Sequence, residues 1–146
     1  MSERSEIDQR ARLDGRALRA GAGVALVVAV PFSIAARVVS DGDDDSAAGP
    51  VLVLLALAGF VLGAGVAAWI QDRGLPLMHG IVCAIGTYVV AQAVFIIVRL
   101  VRGDSVSWLA ALFNLTMVGV AGAIGGGLGS ALSRRGFRPR SIGDPR

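Results

Sequence analysis

Charged residues in this chain collect at the ends of long apolar stretches. No Asp, Glu, Lys or Arg occurs from Ala20 to Ala36, from Ser46 to Gln71, from Gly74 to Val98, or from Ser105 to Ser133, runs of 17, 26, 25 and 29 residues. A bilayer-spanning helix needs about 20 mainly apolar residues. Helices at the surface of a soluble core keep a charged face, and these runs have none. The pattern predicts an all-α protein, a bundle of four transmembrane helices over about 17–39, 48–71, 75–100 and 106–133. An N-terminal tail, 1–16, and a basic C-terminal tail, 134–146, flank this membrane domain, 17–133. Ser33, Ile34 and Ala35 resemble a small-residue cleavage site, but the acid-containing leader before the first span argues for a retained helix over a cleaved signal peptide.

Charge then orients the spans. Cytoplasmic loops are enriched in basic residues. All 14 basic residues are arginine. Arg4, Arg10, Arg12, Arg16 and Arg19 precede the first span, Arg73 lies between the second and third, and Arg134, Arg135, Arg138, Arg140 and Arg146 follow the fourth. The other side holds Arg37, Arg99 and Arg102, beside the acidic run Asp41, Asp43, Asp44 and Asp45. Both termini are expected in the cytoplasm, with the protein multi-pass in a bacterial plasma membrane. The C-terminal arginines would also hold anionic lipid, since each near the surface contributes about 1 kcal/mol. A nucleic-acid partner is not expected, because no basic face on a folded module is visible.

The chain also resembles itself. Shifted by 62 positions, Val27, Val28, Ala29, Ile34, Arg37 and Val39 fall on Val89, Val90, Ala91, Ile96, Arg99 and Val101. The same shift sets Gly63, Gly65, Arg73 and Gly74 on Gly125, Gly127, Arg135 and Gly136. This predicts two tandem parallel α-hairpin repeats, about 22–74 and 84–136. Units with an even number of spans share one orientation, related by an axis along the membrane normal.

Glycine is the most informative residue type within the spans. The stretch from Gly119 to Gly136 ends in arginines but is no phosphate loop: Ser130 stands where a dinucleotide fingerprint needs its third glycine, and the chain lacks the lysine of a P-loop. In lipid, helices associate by close van der Waals approach, which small residues permit. Gly119, Gly122, Gly126 and Gly129 share one arc of about 80°, and Gly125 with Gly129 forms a neighbouring row. The second span carries Gly59, Gly63 and Ala67. The second and fourth helices are therefore expected to form a close-packed centre, with each other, with a second copy, or with a membrane partner.

Polar candidates are few. No Asp or Glu lies within a span, so a proton or cation relay is not expected. Gln92 in the third span and Asn114 and Thr116 in the fourth are candidates for hydrogen bonds across helices or for a polar path. Arg37 and Arg99, equivalent under the repeat, would snorkel to headgroups, pair with Asp41–Asp45, or form an anion-attracting mouth. Pro31, a turn and a half before Arg37, removes a backbone donor and favours a kink. His79 has no second ligand at metal spacing, and Cys83 reads as a small packing residue. Nothing pairs a nucleophile with a base, so neither enzyme activity nor a cofactor is expected.

The basic tails, the four short spans and the stretches "GFVLGAG" and "GGGLGS" make the chain similar to the small four-helix membrane proteins common in actinobacteria and related bacteria. That resemblance implies a plasma-membrane location and carries no activity with it. The absence of an embedded glutamate separates the chain from small multidrug exporters, and its strong arginine bias separates it from small fluoride channels. Two expectations follow: a structural or interaction subunit packing through the glycine-rich helices, or a small channel or transporter with a path between the hairpins.

Overall fold

The computed structural model describes residues 13–42, 47–72 and 74–137. Four helices run in sequence: α1 (Gly15–Gly42), α2 (Ala48–Ile70), α3 (Pro76–Arg102) and α4 (Trp108–Arg134). They hold 28, 23, 27 and 27 residues. At 1.5 Å per residue even the shortest is about 35 Å long, enough for a hydrocarbon core of about 30 Å. All four are long and apolar enough to cross a membrane, and the chain is a multi-pass membrane protein with an all-α, four-helix bundle.

Local chemistry fixes the helix ends. Asp14 opens α1, its Oδ1 accepting from the backbone N–H of Arg16 at 2.9 Å and of Ala17 at 3.3 Å. Pro76 occupies the first turn of α3, where its missing N–H has no intrahelical partner to lose. Gly103, at φ 77°, ends α3 in the left-handed conformation, its N–H donating to Arg99 and Leu100 carbonyls. Ser107 caps α4 by accepting from the N–H of Ala110. α1 continues through Pro31 as one helix. The proline withholds the donor that the Val27 carbonyl would otherwise use.

The packing inverts that of a soluble bundle. The buried apolar residues are mostly alanine (Ala25, Ala29, Ala56, Ala64, Ala67, Ala68, Ala84, Ala121), with Phe60 and Val118 as the large exceptions. Leu54, Val90, Val101, Leu109 and Leu128 point outward. Lipid tails are as apolar as leucine, so large side chains gain nothing by turning inward, and small ones let backbones meet. α1 packs on α2 and α3, and α4 packs on α2 and α3; among the described residues α1 and α4 do not touch.

Contacts within the two hairpins do not follow the 62-position shift of the sequence match. In the first hairpin Gly21 faces Gly63 and Ala67, and Gly63 faces Ala25. In the second, Gly80 faces Gly122 and Gly126, and Gly122 faces Ala84. Gly21, Ala25, Gly63 and Ala67 thus correspond to Gly80, Ala84, Gly122 and Gly126, a shift of 59 positions (21 to 80, 63 to 122) and not 62. A 62-residue shift would set Cys83 against Gly125, but the nearest neighbours of Gly125 are on α2. The reason is the degeneracy of a small-residue groove: a slip of three residues, nearly one turn, returns another small residue to the same face.

Candidate functional site

The bundle has two unlike halves along its long axis. Near the termini the helices meet backbone to backbone. A methyl group added at Gly80 would lie 2.6 Å from the Cα of Gly126, and one at Gly122 would lie 2.8 Å from the Ala84 Cβ. At Gly125 and Gly129 it would lie 2.8 Å from the Cβ of Ala64 and of Ala68. These distances are below any that real Cβ atoms adopt, so the seam admits only hydrogen at those positions. Nothing larger than a backbone fits between the helices there.

Of the small residues expected to pack, all but Gly119 lie against another helix, and their partners differ from those expected in two respects. Gly125 and Gly129 face α2 through Ala64, Gly65 and Ala68, whereas Gly122 and Gly126 face α3. α2 and α4 do meet, but Gly59, Gly63 and Ala67 belong to the α1 seam and not to that meeting. Each of these helices has small residues on two faces, which a single row could not show. Gly119 has nothing nearer than Ile85 Cδ1 at 3.9 Å and contributes little.

One imidazole ties the seam together at the end near the termini. His79 is wholly buried. Its Nε2 accepts from the backbone N–H of Asp14 at 2.8 Å, and its Nδ1 lies 2.8 Å from the Leu75 carbonyl oxygen. Nδ1 therefore carries the proton in this arrangement, and both ring nitrogens are satisfied. The side chain fastens the start of α1 to α3. Nearby, the Cys83 thiol is buried against the carbonyls of Leu18 and Gly63, at 3.7 and 3.9 Å. The Trp69 indole N–H donates to the Phe137 carbonyl, joining the ends of α2 and α4.

Beyond the seam α1 and α2 stay in contact, where a methyl group added at Gly49 would lie 3.0 Å from Ser40 Oγ, while space opens between the two hairpins. All four helices line a cavity of about 520 Å³ in the half of the bundle away from the termini. Its floor holds Phe60 and Tyr88, edge to face with ring centroids 6.4 Å apart, beside Ala29 and Val118. The Tyr88 hydroxyl donates to the Ala111 carbonyl at 2.9 Å, bracing α3 against α4. Arg37 from α1 and Arg99 from α3 line the upper part with Ser40 and Ser107, and Ser33, Gln92 and Asn114 lie between them and the floor.

The structure thus brings Arg37, Gln92, Arg99 and Asn114 into one cavity. Arg99 is half-buried, and its Nη1 donates to the Ser105 carbonyl at 3.2 Å. Arg37 is exposed and makes no hydrogen bond or ion pair among the described residues; Asp43–Asp45 lie outside them, as do Arg138 and Arg140 of the basic tail. Gln92 and Asn114 were candidates for bonds across helices, yet neither amide bonds to another described residue. Thr116 donates to the Leu112 carbonyl of its own helix at 3.1 Å and braces nothing. Sequence reasoning missed Tyr88 and Phe60; Tyr88, one turn before Gln92 and the sole tyrosine, was the available signal. No protein-family model, no curated protein and no solved structure matches the chain.

Proposed function

We propose that the protein works as a one-sided vestibule in the membrane: a small transporter or solute receptor, held open toward the extracytoplasmic side and sealed toward the cytoplasm. The observation that carries this reading is the cavity of about 520 Å³ between the two hairpins, which gathers Arg37, Gln92, Arg99 and Asn114 and ends at the glycine seam. Two guanidinium groups in the lining offer charge-assisted hydrogen bonds to an anion. A continuous pore is disfavoured by the seam, because its backbones leave no space for an ion or water. Assembly through the glycine rows is disfavoured for a related reason: Gly63, Gly80, Gly122, Gly125, Gly126 and Gly129 already face other helices of the same chain.

The arginine asymmetry of the sequence supports cytoplasmic termini and, with them, a vestibule on the outer face of a plasma membrane. Two measurements test the reading together. In a Cys83→Ala background, Asn114→Cys should react with a membrane-impermeant thiol reagent added outside and stay unmodified when the reagent is inside. Liposomes carrying the unaltered protein should show no steady chloride or proton current. A current above that of empty liposomes would make the protein a channel, and unmodified Asn114→Cys would make the cavity inaccessible.

A further inference from the structure

We propose that the vestibule binds an amphiphilic organic anion from the aqueous side, with one acidic group, a hydrogen-bonding middle and an apolar end. The proposal rests on the one-sided vestibule and names its ligand class. Three tiers of the lining carry it. Arg37 and Arg99 stand at the entrance; Ser33, Gln92 and Asn114 form a middle level; Ala29, Phe60, Tyr88 and Val118 form the floor.

Each tier selects for part of the ligand. From Arg37 to Leu26 on α1, and from Arg99 to Tyr88 on α3, the walls descend eleven residues, about 16 Å. That is close to half of a hydrocarbon core of about 30 Å. The Arg37 guanidinium makes no ion pair among the described residues, and Arg99 spends one donor on the Ser105 carbonyl, so both retain N–H groups for a carboxylate or phosphate. The amides of Gln92 and Asn114 form no bond to other described residues and offer both donors and acceptors to a linking amide or ester. The Phe60–Tyr88 pair is held by the Tyr88 hydroxyl bond and presents an apolar end wall.

Other ligand classes fit less of this lining. A hydrated inorganic anion gains nothing from the floor, and a neutral hydrocarbon leaves the two cations and the amides uncompensated. The volume of about 520 Å³ lies within the usual range of small-molecule sites. At roughly 30 Å³ per heavy atom, the share of one liquid water, it holds on the order of 15 non-hydrogen atoms.

N-octanoylglycine has this pattern and serves as the probe. Its radiolabelled form is measured by equilibrium dialysis against the full chain in phosphatidylcholine nanodiscs. We expect saturable binding, at least about tenfold tighter than for the uncharged N-octanoylglycinamide or the tailless N-acetylglycine. The double variant Arg37→Gln/Arg99→Gln should lose the preference for the acid over its amide and leave binding of the amide unchanged. Equal binding of acid and amide overturns the role of the arginines, and equal binding of N-acetylglycine overturns the role of the floor. Loss of probe binding when phosphatidylglycerol is added to the nanodisc assigns the site to a membrane lipid and overturns an aqueous ligand. Absence of binding while Asn114→Cys still reacts from outside refutes the ligand class alone. Absence of both refutes the vestibule as well.

Discussion

The half of the bundle near the termini and the half away from them are made from the same four helices, yet the first is tightly packed along its glycine contacts and the second encloses the larger cavity. The difference lies in which residues face inward. Near the termini the inward positions are Gly21, Gly63, Gly80, Gly122, Gly125, Gly126 and Gly129, and the helices close until backbones touch. Away from them the cavity is lined by Phe60, Tyr88, Gln92, Phe95 and Asn114, among others. In a membrane, where large apolar side chains are as comfortable outside as inside, glycine decides where a bundle closes. Bulk and polar side chains decide where it stays open.

Substitutions at the closed half should produce the largest effects. Gly125→Leu or Gly80→Leu drives a side chain into the backbone or small side chains of the facing helix and should destabilise the protein by on the order of 3 kcal/mol or more. Loss of helical signal at lower temperature in a detergent melt would show this. His79→Ala leaves the Asp14 N–H without its acceptor and opens a void in a wholly buried site, for about 2–4 kcal/mol. His79→Gln, which can still accept at the same N–H, should recover part of that loss in the same melt.

Smaller effects are expected at the open half. Tyr88→Phe removes the bond to the Ala111 carbonyl but keeps the ring against Phe60, for about 0.5–1 kcal/mol. In the closed half, Gly127→Ala should not lower the melting point and should raise it through a gain in helix propensity of up to about 1 kcal/mol, because nothing lies within 4 Å of an added methyl there. A large loss at Gly127 with little at Gly125 would reverse the assigned faces of α4. The contrast between two glycines two positions apart isolates packing from helix propensity, since alanine is the better helix former at either site.

The spans were legible in the sequence because charge exclusion is a one-dimensional signal. Runs bounded by Arg19, Arg37, Asp45, Asp72, Arg73, Arg99, Asp104 and Arg134 mark the helices to within six residues. The four polar candidates, Arg37, Gln92, Arg99 and Asn114, were also visible, as rare polar groups in apolar surroundings. What they surround was not. Whether Gly63 meets α1 or α4 depends on the rotation of α2 about its axis, and small residues on two faces make both answers compatible with one pattern. The seam contacts meet the same degeneracy, since a shift of 59 or 62 matches small residues to small residues. His79 was read only for metal chemistry, because its Asp14 partner lies 65 residues away in sequence.

The central claim is that α3 passes from a sealed seam into an open vestibule within a few turns, and its own residues supply the measurement. Cys83 lies in the seam, 3% exposed, and Gln92 lies nine positions on, in the cavity. The rate of modification by an impermeant thiol reagent is measured for native Cys83 and, in a Cys83→Ala background, for Gln92→Cys, with reagent on each side of the membrane in turn. The structure predicts that Gln92→Cys reacts from outside at least about tenfold faster than Cys83 reacts from either side, because buried thiols are inert and accessible ones are not. Comparable rates at the two positions, or modification of Gln92→Cys from both sides, would contradict it.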